Sequence, residues 1–251
     1  MFKDAIYPAL REKAADAARK MGAPSFYRAH QKELDRSLHF YSESKVIRKC
    51  RGYIDESKLH AAHGIGHCEK VAIEAGAILQ IEDVSCKRKS REAEDLMLCA
   101  QIAGLFHDIK RNEDDHTVKG SIEAERILRD FGMEKRYKHY ITAAIRNHEA
   151  FKEVLDSDDE EAKLVSDVLY DADKFRWGPD NFTTTLWLIM ESSGTPVEVL
   201  YGNFREKMKG IEMIKKTFRS ETGRRYGPEF IDFGIGIGNE IFREIERLVG
   251  R

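Results

Sequence analysis

The sequence has few of the residues that interrupt helices or cross-link distant segments. Its 251 residues include only five prolines and four cysteines, and no two cysteines form a C-x-x-C pair. No apolar secretory segment is found near the N-terminus, where "MFKDAIYPALREKAADAARK" is amphipathic and charged. We therefore expect neither a disulfide framework nor a zinc site made of thiolates, and we predict a cytoplasmic protein with reduced thiols.

Long hydrophobic runs and an excess of charge of one sign are missing as well. No apolar stretch approaches the roughly 20 residues that a helix needs to cross a bilayer. The formal net charge is −2, so the chain has no basic field with which to hold a nucleic-acid backbone. We therefore expect neither a membrane nor a nucleic acid as the main partner. The oligomeric state is not indicated.

The clearest pattern that is present is helical. Apolar residues recur at spacings of three and four, alternating patterns typical of strands are scarce, and no Gly/Ser/Pro-rich linker divides the chain. This predicts a single all-α domain over residues 1–251, with N- and C-terminal helices packed around a central bundle. The predicted helices cover residues 5–20, 26–49, 65–81, 92–108, 118–131, 135–150, 159–174, 181–192, 196–217 and 228–249.

Several histidines and aspartates lie at the ends or on the inward faces of these helices. In "AGLFHDIK", His107 and Asp108 follow an apolar run with no turn signal between them. His67 precedes Val71 by one turn on the buried face of its helix, and His148 lies on an apolar face. A buried carboxylate without a partner costs several kcal/mol, so Asp108 needs a hydrogen bond, a counter-charge or a metal ion.

The order of these residues resembles that of the HD superfamily of metal-dependent phosphohydrolases. The matching blocks are "HCEKV" from His67, "LFHDIK" with His107 and Asp108, and "DADK" with Asp173. The resemblance covers residues 60–178 and implies an HD-domain helical bundle, to which residues 1–59 and 179–251 would add helical extensions. The central block reads HDIKR and not HDIGK, which favours the small bacterial and archaeal HD hydrolases over the cyclic-dinucleotide phosphodiesterases.

The resemblance implies one divalent metal ion and leaves a second ion open. The implied ligands of the first ion are His67, His107, Asp108 and Asp173. Such a mixed set of imidazoles and carboxylates suits Mn, Fe, Co, Ni or Mg and is unlike the thiolate cages of structural zinc. His116 and His148 lie where two-metal members of the superfamily carry additional histidine ligands. For His148, a direct contact with substrate phosphate is the alternative.

Catalytic roles and phosphate contacts fall on a wider set of residues. The candidates for catalysis are Asp108, His148, Lys174 and Asp171, and those for substrate phosphate are Lys174, Arg146 and Lys110. Lys174 has the best claim by resemblance because it directly follows Asp173. Asp171 has two further possible roles, either as the ligand in place of Asp173 or as a carboxylate that orients a ligand histidine.

These residues predict a metal-dependent hydrolase that cleaves a phosphate ester with a metal-activated water. The expected substrate is a small phosphorylated molecule, which would be a phosphomonoester, a nucleotide or a phosphodiester. Two other functions stay open. In one, His116 and His148 complete the ligand set of a di-iron HD-type oxygenase. In the other, the fold serves as a non-catalytic nucleotide-binding regulatory module.

Overall fold

All regular structure in the described part of the chain is helical. The computed structural model describes residues 6–83, 90–155 and 157–249, and within these ranges it contains twelve α-helices and no strand. This confirms the all-α fold predicted from the helical periodicity. The helices are α1 (Tyr7–Met21), α2 (Ser25–Ala29), α3 (Gln31–Glu43), α4 (Lys45–Arg51), α5 (Ile65–Asp83), α6 (Ser90–Phe106), α7 (His116–Leu128), α8 (Lys135–Arg146), α9 (Glu160–Phe175), α10 (Leu186–Ser193), α11 (Val197–Ile214) and α12 (Glu221–Val249).

Helices α5 and α6 form the central pair of the fold, and small residues let them approach closely. A Cβ atom on Gly104 of α6 would lie 2.5 Å from the Cα atom of Ala72 on α5, so only glycine fits at this contact. A Cβ atom on Gly76 of α5 would lie 2.9 Å from the side chain of Gln101 on α6. The two contacts run in opposite directions along the helices, so the first turn of α5 meets the last turn of α6.

The other helices pack around this pair. Helix α9 contacts both α5 and α6, and it is buried continuously from Val165 to Phe175. Helix α8 contacts α6, α7 and α9, which brings the end of α8 and the start of α7 toward the same region. The N-terminal helix α1 and the late helix α11 pack against α12, and α12 in turn contacts α5 and α9.

The predicted helix over residues 26–49 is wrong, because the chain forms the three shorter helices α2, α3 and α4 there. The backbone leaves helical geometry at His30 (φ −123°, ψ 33°) and at Ser44 (ψ 114°). Ser44 caps α4, since its Oγ atom accepts a hydrogen bond of 3.3 Å from the backbone N–H of Ile47. Periodicity alone does not mark a break that such a side-chain cap creates.

Helix α12 begins at Glu221 and not at residue 228 as predicted, and it retains Pro228 in its interior. The backbone N–H of Gly223 donates to Ser220 Oγ, and the N–H of Ser220 donates to a carboxylate oxygen of Asp171 on α9. These acceptors satisfy N–H groups at the start of the helix that have no partner within it. Because one of the acceptors comes from another helix, the local sequence does not reveal the earlier start.

Helices α6 and α8 end earlier than predicted, as do α7 and α11, and the ends of α6 and α8 are followed by candidate site residues. Helix α6 ends at Phe106, so His107 and Asp108 lie in the turn that follows it. Helix α8 ends at Arg146, and His148 lies beyond the C-cap residue Asn147. These side chains therefore leave the chain at turns, where their direction is no longer set by the helical repeat.

The described residues contain neither a membrane-spanning helix nor a disulfide. No helix among them has both the length and the apolar character needed to span a bilayer. Cys50, Cys68 and Cys99 are buried free thiols, and Cys86 lies outside the described residues.

Candidate metal centre

Seven side chains from six separate parts of the chain meet at one place in the fold, and we refer to them as the His/Asp cluster. They come from a 3₁₀ turn before α5, the first turn of α5, the turn after α6, the start of α7, the segment after α8 and the last turn of α9. They are His63, His67, His107, Asp108, His116, His148 and Asp173. All except His63 are metal ligands implied by the sequence.

The carboxylate of Asp108 lies at the centre of the His/Asp cluster, and only 2% of the residue is exposed. Its Oδ2 atom is 2.8 Å from His63 Nδ1 and 3.3 Å from His107 Nε2. Its Oδ1 atom is 3.4 Å from His148 Nε2 and 3.7 Å from His116 Nε2. The two oxygens of one carboxylate thus face two different sets of imidazole nitrogens.

Asp173 closes the Oδ2 side of the cluster. Its Oδ1 atom lies 3.4 Å from His67 Nε2 and 3.7 Å from His107 Nε2, and these two ring nitrogens are 3.2 Å apart. His67 Nε2 is also 3.9 Å from Asp108 Oδ2. The nearest ligand atoms of His67, His107 and Asp173 all lie within 4.8 Å of one another, which is a spacing that one metal ion can bridge.

The hydrogen bonds of two rings determine where their lone pairs point. His107 Nδ1 donates to the carbonyl of Gly104 at 2.8 Å, and His148 Nδ1 donates to the carbonyl of Ile145 at 2.7 Å. In each neutral ring the other nitrogen, Nε2, then carries a lone pair. Both Nε2 atoms face the carboxylate of Asp108, so electron-rich atoms oppose each other there. A proton or a metal ion between them would relieve this repulsion.

Asp108 Oδ1 is fully buried and makes no hydrogen bond among the residues that the structure describes. Its neighbours are His148 Nε2 at 3.4 Å, His116 Nε2 at 3.7 Å and Arg111 Nη1 at 3.8 Å. A mixed set of imidazoles and carboxylates at these distances suits a divalent ion, so the residues present fit a metal ion.

The protonation states of three histidines and of Asp108 suit metal binding. Burial lowers the pKa of His67 to about 4 and that of His116 to about 4, and it lowers the pKa of His148 as well. For His107, burial also favours the neutral ring, but the carboxylates of Asp108 and Asp173 raise its pKa above the ordinary value. Although burial favours the neutral acid of Asp108, its contacts with His107 and His148 hold the pKa of this carboxyl well below its usual range. Neutral imidazoles and ionised carboxylates are the forms that bind a divalent cation at neutral pH.

The turn that delivers His116 to the His/Asp cluster has an unusual backbone. Asp115 adopts left-handed geometry (φ 52°, ψ 40°), which among ordinary residues aspartate and asparagine tolerate best. The next residue, His116, opens α7 and is 9% exposed. This sharp turn brings the imidazole inward directly after the acidic loop that precedes it.

Lys174 lies beside the His/Asp cluster but is engaged within the protein. Its ammonium donates to Asp173 Oδ2 at 2.5 Å and to the carbonyl of His148 at 2.9 Å, and only 4% of the residue is exposed. Two of its three N–H donors are therefore used to hold Asp173 and the His148 segment. This geometry makes Lys174 a positioning residue for Asp173, and its predicted contact with substrate phosphate and its predicted catalytic role stay predictions.

Asp171 faces a different neighbour from the one expected. Its two carboxylate oxygens accept hydrogen bonds from the backbone N–H groups of Arg219 and Ser220, at 2.8 and 2.7 Å. Positions two residues apart on a helix are separated by about 200° around its axis, so Asp171 and Asp173 leave α9 in different directions. Asp171 therefore caps α12 in this structure, and its predicted roles as a ligand, as the partner of a ligand histidine or in catalysis stay predictions that this geometry does not support.

Arg146 and Lys110 are also directed elsewhere. Arg146 is exposed on α8 and lines a surface cavity of about 400 Å³ together with Asn147, Leu155 and Ser166. Lys110 Nζ lies 3.1 Å from a carboxylate oxygen of Glu113. Because the chain turns between Arg146 and His148, proximity in sequence does not bring the guanidinium to the His/Asp cluster. Neither residue supports the predicted contact with substrate phosphate.

Two residues of the site were not among the candidates predicted from the sequence. His63 lies on the 3₁₀ turn Ala61–His63 and stacks on His67, with ring centroids 4.8 Å apart and planes 11° apart. A signal for it exists, since "HGIGH" spaces His63 and His67 by four residues. Arg111 donates from Nη1 to His116 Nε2 at 2.7 Å, but nothing in the surrounding sequence distinguishes it from the other nearby cations.

A second buried polar cluster, which we call the Arg176 network, anchors the same end of α9. Arg176 is 5% exposed and donates to Glu74 on α5, to Asp180, and to Tyr27 Oη at 3.1 Å. Lys70 Nζ lies 2.8 Å from Asp180 Oδ2 and completes the network. Because Arg176 follows Asp173 by three residues, these contacts fix the last turn of α9 against α5 and α2.

Comparison with known proteins gives no assignment. The chain matches no model of a known protein family, and searches of curated proteins and of solved structures likewise find no match. A functional proposal therefore depends on the geometry of the His/Asp cluster and on the sequence blocks that form it.

Proposed function

We propose that this chain is a metal-dependent phosphohydrolase of the HD type. The observation that carries the proposal is the convergence of His67, His107, Asp108 and Asp173 on one buried point. Asp108 Oδ2 lies 3.3 Å from His107 Nε2 and 3.9 Å from His67 Nε2, and Asp173 Oδ1 lies 3.4 Å from His67 Nε2. Imidazoles and carboxylates at this spacing suit one divalent ion. The order of the HD-like blocks supports the same proposal.

The ion would be held by His67, His107, Asp108 and Asp173. When bound, it would lower the pKa of a coordinated water and polarise a phosphoryl oxygen, contributions typically worth several kcal/mol. The chain's own part is to hold the ligands in place. Lys174 restrains Asp173, and the backbone carbonyls of Gly104 and Ile145 orient two of the rings.

The charges around the His/Asp cluster favour an anionic substrate. Lys174 lies against Asp173, and Arg111 Nη1 lies 3.8 Å from Asp108 Oδ1, so two cations offset the two carboxylates. The imidazoles are neutral at pH 7 where burial lowers their pKa. A divalent ion would leave the centre with net positive charge, which suits a phosphate ester. The side chains of His63 and Arg111 are 20% and 34% exposed, and they form the solvent-accessible edge of the His/Asp cluster.

The proposal is tested by a screen of phosphomonoesters, nucleotides and phosphodiesters. Metal-stripped protein is reloaded in turn with Mn²⁺, Co²⁺, Ni²⁺, Fe²⁺ and Mg²⁺, and phosphate release is measured. We expect hydrolysis with at least one ion, loss of activity in EDTA, and no activity in Asp108→Ala. Asp171→Asn is a useful comparison because that carboxylate caps α12, and it should retain activity if it folds.

Other outcomes would favour the two alternative functions. Two irons per chain with a visible chromophore after aerobic purification, and no hydrolysis by iron-free protein, would favour an oxygenase that also uses His116 and His148. Tight nucleotide binding without turnover by any ion, unaffected by His107→Ala, would favour a regulatory module. Either result would replace the phosphohydrolase proposal.

A further inference from the structure

The two oxygens of Asp108 have different surroundings, and the difference lies in Arg111. On the Oδ2 side, the nearest partners are imidazoles and the second carboxylate, Asp173. On the Oδ1 side, a cation of the protein is already present. Arg111 Nη1 lies 3.8 Å from Asp108 Oδ1 and 2.7 Å from His116 Nε2. A positive charge thus lies where the ligands of a second ion would meet.

In the hydrogen bond between Arg111 and His116, the chemistry of the guanidinium determines which group donates and which accepts. A guanidinium offers only N–H donors and keeps its proton in proteins. Arg111 Nη1 therefore donates, and His116 Nε2 accepts through its ring lone pair. A metal ion bound by this nitrogen would need the same lone pair. His116 cannot ligate an ion while Arg111 occupies Nε2.

We infer that Arg111 takes the place of a second metal ion at the centre. The inference rests on the proposed function, in which one ion is held on the Oδ2 side of Asp108. The fixed charge of Arg111 then offsets the Oδ1 side, where His116 and His148 lie. Wild-type protein would hold one ion per chain, and a second would enter only if Arg111 moved aside. The guanidinium would also repel a divalent ion at that position.

Metal stoichiometry tests this role without an assay of activity. Metal-stripped wild type, Arg111→Met and Arg111→Gln are titrated with Mn²⁺ by calorimetry, and bound Mn²⁺ is counted after desalting. We expect one ion per wild-type chain and two per chain in each Arg111 variant. Electron paramagnetic resonance of the variants should show coupling between two Mn²⁺ ions, and wild type should show an isolated ion.

Two further variants locate the second ion. The double variant Arg111→Met/His116→Ala should return to one Mn²⁺ per chain, because the ligand that Arg111 releases is then missing. His116→Ala alone should leave both the stoichiometry and the dissociation constant of wild type unchanged. Arg126→Met is the matched control, since Arg126 is exposed on α7 and pairs with Glu123, and it should bind one ion.

The outcomes separate this inference from the proposed function. Two ions in wild type, or one ion in wild type and in both Arg111 variants, would overturn the role of Arg111 and leave a metal-dependent enzyme intact. Absence of Mn²⁺ binding in every protein would overturn both. Circular dichroism checks folding. If the Arg111 variants fail to fold, the wild-type stoichiometry and His116→Ala still decide the question, because a second ion or weakened binding there contradicts the inference.

Discussion

Two buried polar clusters connect α5 to the end of α9, and they balance their charges in different ways. In the Arg176 network, Glu74 and Asp180 are paired with Arg176 and Lys70, so each carboxylate contacts a cation of the chain. In the His/Asp cluster, Asp108 is surrounded mainly by imidazoles, and the guanidinium of Arg111 lies 3.8 Å from its Oδ1 atom. A cluster whose carboxylates are closely paired with cations serves the fold, whereas one lined mainly by imidazoles suits a cation from solution.

Removal of the central carboxylate should show the largest difference between the clusters. Asp108→Asn keeps the shape of the side chain but removes the charge that an ion needs. We expect kcat/KM with the best metal to fall by about 10³-fold or more, because a catalytic ion contributes several kcal/mol. In EDTA, urea denaturation should find the variant less stable than wild type, because the contacts that lower the pKa of Asp108 favour its charged form in the folded protein. Full activity in this variant would contradict the proposed centre.

The same kind of change in the Arg176 network should act on stability. Glu74→Gln leaves the buried guanidinium of Arg176 short of one carboxylate, and we expect a loss of about 3 kcal/mol in the free energy of unfolding by urea. Glu123→Gln is the matched control, because its partner Arg126 is exposed, and it should cost less than about 1 kcal/mol. Equal effects of the two variants would show that the network is not a stabilising element.

Metal addition should distinguish the clusters in one measurement. An ion at a hundredfold excess over its Kd stabilises a folded protein by about 2.7 kcal/mol. For a chain of this length, this corresponds to a rise in Tm of about 5–10 °C, reversed by EDTA. Glu74→Gln should show the same shift from a lower starting Tm, and Asp108→Asn should show none. A shift that survives in Asp108→Asn would place the ion elsewhere.

Asp171 is a third kind of buried carboxylate, compensated mainly by backbone N–H groups, and it should give the smallest effect. Burial raises its pKa to about 6 in the folded protein, above its value in the unfolded chain. The folded state then binds more protons between about pH 4 and 6, so stability falls as pH rises through this range, by about 2 kcal/mol. Urea denaturation between pH 4 and 7 measures this, and Asp171→Asn should flatten the profile. An unchanged profile in the variant would refute the assignment.

The helical order of the chain could be predicted because periodicity is a local property. The first turn of α5 carries His67 as the sequence indicates, His107 directly follows the end of α6, and Gly104 lets these helices approach. The break at Ser44 could not be predicted from periodicity, because a capping side chain and not a change in hydrophobic spacing creates it. The break at His30 lies in the backbone geometry of that residue, and its side chain makes no capping hydrogen bond.

The candidate ligands could be recognised by residue type and order, but their neighbours could not. Asp171 and Arg146 are close in sequence to implied ligands, and both point elsewhere because helix rotation and a chain turn separate them from the His/Asp cluster. His63 is brought in by a short 3₁₀ turn, and Arg111 by its contact with His116. The direction in which each of these side chains points depends on the residue at which a helix ends. Local sequence propensity defines helix ends poorly.

The amino-acid sequence alone determined the all-α fold and the HD-like order of the histidines and aspartates. Side-chain chemistry and helical spacing depend only on residues that are close together in the chain. Only the tertiary structure decided that Asp108 faces imidazoles on both oxygens, that Asp171 caps α12, and that Arg111 occupies the lone pair of His116. These facts depend on contacts between residues far apart in the chain, and the packing of the helices together with the turns at their ends determines which atoms meet.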